Sequence, residues 1–464
     1  MKSRIAFLRV SKTLHLLLSV IAFYIGWTLM RYHAVLFHGE IGFRYNYYVA
    51  LLYGAMLFFF FKTYSAYLFG YSRVRTLVFK QMLSQGFSTV LVYFITAVAW
   101  NKWLNPAGLL VNLAASAVID VVMSMVMNRA FYSCNPPRQT LVLYSSAADK
   151  ARLDHLTLGP LGRLYRCTDF MQCGKDDLGK AIDAIAKHEA VFTSGLDAEL
   201  QGSVSVYCIG KRIPCFVLPR VGNLLFQGAR HVHTLSSPVL MISGKEPSIE
   251  YLFVKRAFDI IMSLLGILVL SPLFLLCAAA IFLTDRGPVI YRQKRLTKGG
   301  KVFTICKFRS MRVDAEKDGV ARLSSGESDE RITPVGRILR ACRLDELPQL
   351  FNILKGDMTI VGPRPERPEI AEQYEKIYPE FSLRTQVKAG LTGYAQVYGK
   401  YNTEPLEKLE FDIMYINHMS IITDLQLMFA TVGILFNPDS TEGILTDTET
   451  ALNTETALKK KENE

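Results

Sequence analysis

Asp345 and Glu346 are adjacent carboxylates, preceded by Arg337, Arg340 and Arg343 at three-residue spacing. If that segment is helical, the three guanidinium groups stay within about a third of the helix circumference. Arginine forks match phosphate oxygens. A carboxylate pair beside them has what Mg²⁺-assisted phosphoryl chemistry requires: one group to attack or hold metal, and cations to hold phosphate. The same residues also have a structural reading. Leu347, Leu350, Phe351 and Leu354 recur at i, i+3, i+4 and i+7, an amphipathic helix with Pro348 tolerated in its first turn. Asp345 would then be an N-cap and Glu346 a first-turn acid favoured by the helix dipole. On the residues alone both readings stay open.

Upstream, Gly287 to Val313 contains no acid and eight bases: Arg292, Lys294, Arg295, Lys298, Lys301, Lys307, Arg309 and Arg312. This stripe follows Ile260–Thr284, 25 residues without a charge and long enough to cross a bilayer. Yet Lys255 and Arg256 precede that segment, so positive charge flanks both sides and contradicts a simple crossing. Ser271 and Pro272 sit at its middle. Proline removes a backbone hydrogen bond and breaks the helix, and Ser271 can bond to a freed carbonyl. A re-entrant hairpin satisfies both facts. Beside it, the nearest polyanions for the basic stripe are lipid headgroups or a phosphorylated lipid. No nucleic-acid motif accompanies the bases, so no nucleic-acid partner is expected.

Four further apolar runs fill the first 130 residues: Thr13–Met30, Tyr48–Phe61, Gly86–Trp100 and Ala107–Met127, the second being the most marginal. The first is not followed by a small-x-small cleavage site before Arg31 and is not read as a signal peptide. Basic residues concentrate before the first run, between the second and third, and after the fourth, which puts both ends of the bundle in the cytoplasm. Asp120 lies inside the fourth run, either marking a substrate path or tucked into the bundle interior. From Pro137 to about Ser243 the pattern alternates. Thr140–Tyr144, Ala190–Thr193, Val204–Ile209 and Cys215–Leu218 read as strands and Leu178–His188 as a helix, a parallel α/β layer. The turn Ser145–Asp149 lacks G-x-G-x-x-G, so no bound dinucleotide is expected, and the module reads as regulatory or assembly-related. Pro438–Glu464 is polar, with Thr448–Leu452 repeated as Thr454–Leu458, and reads as a disordered tail.

Composition agrees. The chain has 464 residues, half of them hydrophobic and a fifth charged, with mean hydropathy +0.20; that excludes a disordered or fibrous chain and suits a membrane protein with soluble parts. Lys+Arg exceed Asp+Glu by 53 to 41, a net charge of +12 that suits anionic headgroups or phosphorylated substrates. The eight cysteines contain no C-x-x-C pair and read as reduced thiols.

Six motifs occur in order between Lys255 and about Phe436: Lys255–Asp259, Ser271-Pro272, Lys307–Met311, Leu344–Gln349, Val361–Pro365 and Leu391–Val397. In that order they resemble the bacterial sugar transferase family, the monotopic polyprenyl-phosphate glycosyl-1-phosphate transferases. With four spanning helices and an α/β module ahead, the whole chain is similar to the long exopolysaccharide-type members. The fold expected is a membrane protein with a four-helix transmembrane bundle (1–130) and a cytosolic Rossmann-like α/β module (131–246). A mainly α catalytic domain (250–437) with a re-entrant membrane helix (256–284) and the tail (438–464) follow.

The resemblance implies transfer of a sugar-1-phosphate from a UDP-sugar donor to undecaprenyl phosphate, releasing UMP, as the initiating step of exopolysaccharide, capsule or related glycan synthesis. Carried onto this chain, Asp345 is the nucleophile that forms a phospho-sugar aspartyl intermediate, and Asp345 and Glu346 hold Mg²⁺. Lys307, Arg309 and Arg340 contact phosphate; Arg337, Arg343 and Arg384 join them in binding substrate. Pro363, Arg364 and Pro365 shape the nucleotide pocket. The implied location is the bacterial cytoplasmic membrane, multi-pass, with the catalytic domain facing the cytoplasm and the lipid bilayer as a partner; a homodimer is left open. The chain departs from the family's usual Pro-Gly at Ala389-Gly390 and from Asn-Gly-Arg at Tyr398–Lys400. Two rivals remain. A membrane-anchored sugar-nucleotide dehydratase would use a Tyr-x-x-x-Lys pair, matched in letters by Tyr251 and Lys255, although with 22 tyrosines about one chance match is expected. A non-enzymatic assembly scaffold would need no nucleophile at all.

Overall fold

The computed structural model describes residues 2–35, 44–101, 103, 107–157, 160–233, 238–242, 247–313, 331–399 and 405–435. The tail and Lys400 lie outside them. The chain divides into two compact units, Met1–Arg220 and Val221–Glu464.

The first unit begins with helices α1 (Lys2–Val35), α2 (Arg44–Thr63), α3 (Val74–Trp100) and α4 (Ala107–Cys134). Among the described residues α1, α3 and α4 contain stretches long and apolar enough to cross a membrane. α2 packs against α1 and α3, but with Asn46 and Lys62 near its ends it falls short of that apolar length. The interior is polar. Asn112, Ser116, Asp120, Ser124 and Asn128 recur every four residues along α4 and are all buried, while Val118, Val121 and Val122 face outward. Asp120 Oδ1 lies 2.8 Å from His15 Nε2 and accepts from Gln85 Nε2 at 2.9 Å, the pairing a carboxylate inside a bundle requires.

The α/β layer follows: β1 (Arg138–Tyr144), α5 (Ala147–Thr157), β2 (Tyr165–Gln172), α6 (Leu178–Ile185), β3 (Ala190–Ser194), α7 (Ala198–Lys211) and β4 (Cys215–Leu218). Its sheet is parallel in the order β2-β1-β3-β4. One sequence reading is corrected here, and one strand is added. Val204–Ile209 is not a strand but part of α7, because Leu200, Val204 and Cys208 are buried at helical spacing while Val206 and Ile209 are exposed. The strand that takes its place, β2, is an edge strand whose polar, largely exposed residues (Arg166, Asp169, Gln172) hide the apolar alternation. At the turn without glycines, the Asp149 carboxylate accepts from Ser145, Ser146 and Ser194 at 2.8, 2.7 and 3.1 Å. The chain's own acid is thus hydrogen-bonded just beyond the C-terminal ends of β1 and β3.

The second unit is mainly helical. It runs through α8 (Val221–Gln227), β5 (Arg230–His233), β6 (Pro238–Met241), α9 (Ile249–Val269), α10 (Ser271–Asp285), β7 (Ile290–Leu296), β8 (Val302–Phe308), α11 (Pro334–Ala341) and α12 (Gln349–Lys355). It ends with β9 (Thr359–Val361), α13 (Pro368–Ile377), β10 (Gly390–Thr392), α14 (Tyr394–Tyr398), α15 (Pro405–Asn417) and α16 (Ile421–Leu435). One core gathers Val221 and Leu224 of α8 with Ile353, Met358, Val361, Leu409 and Ile413. α9 and α10 meet at a bend of 62°. Pro272 opens α10, and Ser271 Oγ donates to the Leu268 carbonyl at 2.8 Å, taking up one of the acceptors the break frees.

β9 and β10 pair in parallel at Thr359–Gly390 and Val361–Thr392. Beyond the pairing, Gly390 N donates to Pro363 O and Gly362 N to Thr392 O, both at 2.8 Å. A Cβ on Gly390 would fall on the Gly362 backbone, so the crossing needs glycine for closeness. The preceding departure from the family pattern is accommodated: Ala389 N donates to Thr297 Oγ1 at 3.2 Å, a bond proline could not make. Gly390→Ala is expected to cost the second unit about 3 kcal/mol, in the upper range of single substitutions, lowering its Tm by about 6–12 °C. Differential scanning fluorimetry of the purified protein checks this; a transition unmoved by the substitution would show that the crossing relaxes freely.

Candidate active site

Asp345 and Glu346 lie in a single 3₁₀ turn, Leu344–Glu346, between α11 and α12. The turn exists for local reasons. Thr333 caps α11 by accepting from Gly336 N at 3.0 Å, and Pro334 occupies its first turn. The helix stops at Ala341, and Arg343 takes a left-handed φ of 53° that redirects the chain. Pro348 has no N–H to offer the Leu344 carbonyl, so an α-helix cannot run through the carboxylates. Leu344 and Leu347, on either side of the pair, pack with Cys277 and Ile281 of α10, Phe308 and Leu339. Two readings are corrected. Asp345 is not an N-cap, since α12 begins at Gln349 behind Pro348 and has no side-chain cap. The three arginines do not form one helical stripe: Arg337 and Arg340 are on α11, but Arg343 is past its end.

The charges nevertheless converge. Lys307 Nζ, from the end of β8, donates to Glu346 Oε1 at 3.0 Å, and Arg364 Nη2 donates to the same oxygen at 2.6 Å. Burial pushes the Glu346 carboxyl up, but Arg364 and Lys307 outweigh it and hold it well below the usual carboxylate range. Burial pushes the Lys307 ammonium down, with Glu346 opposing. Asp345 goes the other way. Burial and the neighbouring Glu346 raise its carboxyl above the ordinary value, against Lys307, Arg340 and Arg364. Arg340 is oriented by donating from Nε to Ser310 Oγ at 2.9 Å. The pair is thus split into one carboxylate committed to two cations and one more basic carboxylate that makes no hydrogen bond among the described residues.

The remaining sequence-derived residues fall into two groups. Pro363, Arg364 and Pro365 form a loop pinned on its carbonyls: Pro363 O by Gly390 N, Arg364 O by Arg384 Nη2 at 2.8 Å, and Pro365 O by Arg295 Nη1 at 3.1 Å. The loop borders a shallow cleft lined also by Thr297, Glu366 and Thr385. Arg384 is buried and paired with Asp412 at 2.7 Å, so it holds the loop rather than facing solvent. Arg309 is buried beside Gly287, and Arg337 is exposed on α11. Sequence reasoning missed Arg295 as a loop clamp, Ser310 and Asp412. Arg295 was visible only as one base in the stripe, and Asp412 carried no signal.

Among the described residues no group of three or more His, Cys, Asp or Glu side chains could hold a metal. Mg²⁺ does not need one. It is commonly held by one or two carboxylates and completed by substrate phosphates and water. Adjacent Asp345 and Glu346, with cations alongside to receive phosphate, fit that donor set. Tyr251 and Lys255, the pair a dehydratase would use, are committed elsewhere: both donate to Asp424 Oδ2, at 2.8 and 2.6 Å.

A family model described as bacterial sugar transferase matches residues 250–438. A UDP-N-acetylgalactosamine-undecaprenyl-phosphate N-acetylgalactosaminephosphotransferase from Aeromonas hydrophila is 34% identical over 276 residues, 58% of this chain and 62% of the relative. A UDP-glucose:undecaprenyl-phosphate glucose-1-phosphate transferase from Klebsiella pneumoniae is 44% identical over 183 residues, 38% of this chain and 39% of the relative. The chain therefore spans about three fifths and two fifths of these two relatives. A Caulobacter vibrioides protein of the same name as the Klebsiella one is 41% identical over 202 residues, 42% of this chain and 75% of the relative. All three alignments carry substantial identity, and the last covers most of its relative; the chain belongs to the bacterial sugar transferase family.

Proposed function

We propose that this protein transfers a sugar-1-phosphate from a UDP-sugar to undecaprenyl phosphate, releasing UMP, as the initiating step of exopolysaccharide or capsule synthesis. The observation that carries the reading is the split carboxylate pair: Glu346 neutralised by Lys307 and Arg364, and Asp345 beside it, raised above its ordinary value and making no hydrogen bond among the described residues. The names of the Aeromonas, Klebsiella and Caulobacter relatives support donor and acceptor classes. A carboxylate approaching a diphosphate meets repulsion, and Lys307, Arg340 and Arg364 offset it. The Asp345 carboxylate oxygen attacks the sugar-bearing phosphorus. The bond from that phosphorus to the bridging oxygen breaks, and UMP leaves with the electron pair. An oxygen of undecaprenyl phosphate then attacks the same phosphorus, the aspartyl–phosphorus bond breaks, and the carboxylate is regenerated. Mg²⁺ held by Asp345 and Glu346 would supply further neutralisation of the phosphates. The Pro363–Pro365 loop, which carries Arg364, would lie against the nucleotide end of the donor.

The membrane arrangement belongs to the same proposal. α2 is a fourth crossing beside α1, α3 and α4. The α9–α10 pair, bent by 62° at Ser271, enters and leaves the cytoplasmic leaflet, keeping the basic stripe after it in the cytoplasm. The acceptor's phosphate would then meet Asp345 at the interface, because α10 packs under the carboxylate turn.

UMP release from membranes supplied with undecaprenyl phosphate and a panel of UDP-sugars tests the reaction. Asp345→Asn keeps the shape and removes the nucleophile, so kcat should fall by about three orders of magnitude or more with little change in Tm. Turnover close to wild type would exclude the covalent route. Because Asp345 must be ionised to attack and its folded-state value is raised by burial and by Glu346, activity should be lost as pH falls, with the acid limb displaced upward from the ordinary carboxylate range. Lys307→Met removes a cation that favours the carboxylate, so the acid limb of kcat should move further up. For topology, Lys298→Cys is placed in a background lacking the exposed native thiols Cys134 and Cys342. It should react with an impermeant maleimide only from the cytoplasmic side. Labelling from outside would mean that the α9–α10 pair crosses the bilayer.

A further inference from the structure

We propose that Arg256 and Asp259, on the first helix of the broken pair, are positioning residues that set the geometry of the Asp345–Glu346 pair. The inference rests on the transfer reaction proposed above. Arg256 donates from Nη1 to Ile353 O at 2.7 Å and from Nη2 to Leu354 O at 2.8 Å. These are carbonyls of the last turn of α12, where the helix end favours a cation; Ile353 O also accepts from the capping Gly356 N at 3.0 Å. α12 continues the chain from the carboxylate turn, and Leu350 N and Phe351 N bond back to Leu347 and Pro348. The guanidinium therefore fixes the far end of a short rod whose near end carries Asp345 and Glu346.

The side of that rod is also fixed. Asn352 Oδ1 accepts from Cys306 N at 2.9 Å, and its Nδ2 donates to Thr304 O at 2.8 Å, which ties α12 to β8 and thus to Lys307. Asp259 lies three residues after Arg256 on the same face of α9 and is 4% exposed. Its Oδ2 accepts from Thr359 Oγ1 at 2.6 Å and its Oδ1 from Ile360 N at 3.0 Å. β9 leads within a few residues to Arg364, the second cation on Glu346. Lys255 reaches the same strand indirectly: it donates to Asp424, and the Tyr415 hydroxyl lies 2.8 Å from Asp424 Oδ1 and 3.1 Å from Val361 O.

Two separate chain segments thus meet at Glu346, and both take their position from one turn of α9. A tilt of α9 carries α12 and β9 together and leaves Glu346 opposite Arg364. Loss of either clamp removes the tie to α9 and leaves α12 held by Asn352 on β8, and β9 by its pairing with β10, so the two segments can shift against each other. A displacement of about 1 Å at reacting groups costs about 10²-fold in rate, so the clamps act on kcat through residues they do not touch.

The test uses the full chain in nanodiscs, with the UDP-sugar that wild type turns over best. Arg256→Met keeps the stem and removes both donors. Arg256→Lys returns a cation that can serve one carbonyl. Asp259→Asn alters the β9 clamp from α9, and Thr359→Val alters it from the other side. Arg256→Met and Asp259→Asn should lower kcat per folded molecule by about 10–100-fold, with the donor KM changing by less than about threefold. Arg256→Lys should recover part of that loss, and Thr359→Val should lower kcat by about 3–10-fold with Tm nearly unchanged. Wild-type kcat per folded molecule in Arg256→Met and Asp259→Asn overturns the proposal. If those two fail to fold, wild-type kcat in Arg256→Lys and Thr359→Val overturns it equally. A wild-type chain that releases no UMP counts against the reaction; an active wild type whose variants keep kcat counts against the clamp alone.

Discussion

A carboxylate taken out of water stays ionised only if cations or hydrogen-bond donors replace the water it loses. Glu346, with its side chain 12% exposed, obeys this through one oxygen that accepts from both Lys307 and Arg364. The constraint organises the second unit. β8 must end where Lys307 can reach, the loop after β9 must bring Arg364 in from the other side, and a short turn must hold Glu346 between them. Removing Lys307, the more buried of the two cations, would leave the charge with half its compensation, and breaking a buried pair costs about 3–5 kcal/mol; Arg364, with 43% of its side chain exposed, is screened more by solvent. Hence much of the surrounding hydrogen bonding goes to backbone carbonyls of those segments: Arg384 and Arg295 on the loop, Arg256 on α12.

The same arrangement distinguishes two neighbours of nearly identical chemistry. Glu346 takes both cations and is held low; Asp345, one residue earlier, keeps a neighbouring negative charge and burial, and is held high. A 3₁₀ turn makes this possible because consecutive side chains leave it in different directions, whereas a carboxylate at a helix N-cap would spend its oxygens on backbone N–H groups. Pro348 is therefore more than a tolerated residue at a helix start. By withholding an N–H it excludes the α-helical path that would have placed Asp345 differently.

Legibility in the sequence followed the range of the interactions. Helices α1 to α4, the parallel layer and the break at Ser271-Pro272 were visible because apolar length, periodicity and proline chemistry act locally. β2 was not, since an exposed edge strand with Arg166, Asp169 and Gln172 lacks apolar alternation. Val204–Ile209 was misassigned because a short apolar run fits strand and helix alike, and only burial of residues 200, 204 and 208 decides. At the site, the carboxylate pair and its cations could be picked out by type, and the ordered motifs assigned them to a family. What could not be read was which cation goes to which carboxylate. Arg364 is eighteen residues from Glu346 and Lys307 thirty-nine, and nothing local encodes either pairing. Arg384 and Arg309 matched by letter, but burial turns the first into a clamp on the Arg364 carbonyl and packs the second beside Gly287.

An anion-handling site usually sits apart from exposed apolar surface, because each works against the other's solvation. Here they adjoin. Ile261, Leu264, Leu268 and Val269 of α9 and Leu275, Leu276 and Leu283 of α10 are exposed, while Cys277 and Ile281 on the other face of α10 pack under Leu344 and Leu347. The helix that offers apolar surface outward is thus the floor of the carboxylate turn. A soluble phosphoryl-transfer site would gain nothing from such a floor and would risk aggregation through it. The acceptor proposed above, a long apolar chain with a phosphate at its end, would resolve the conflict, since its two parts need these two surfaces side by side. On that proposal the bend has a role as well. A straight helix of this composition would carry its apolar surface across the bilayer and away from Asp345, whereas a break of 62° at Ser271 returns the second half to the turn it supports.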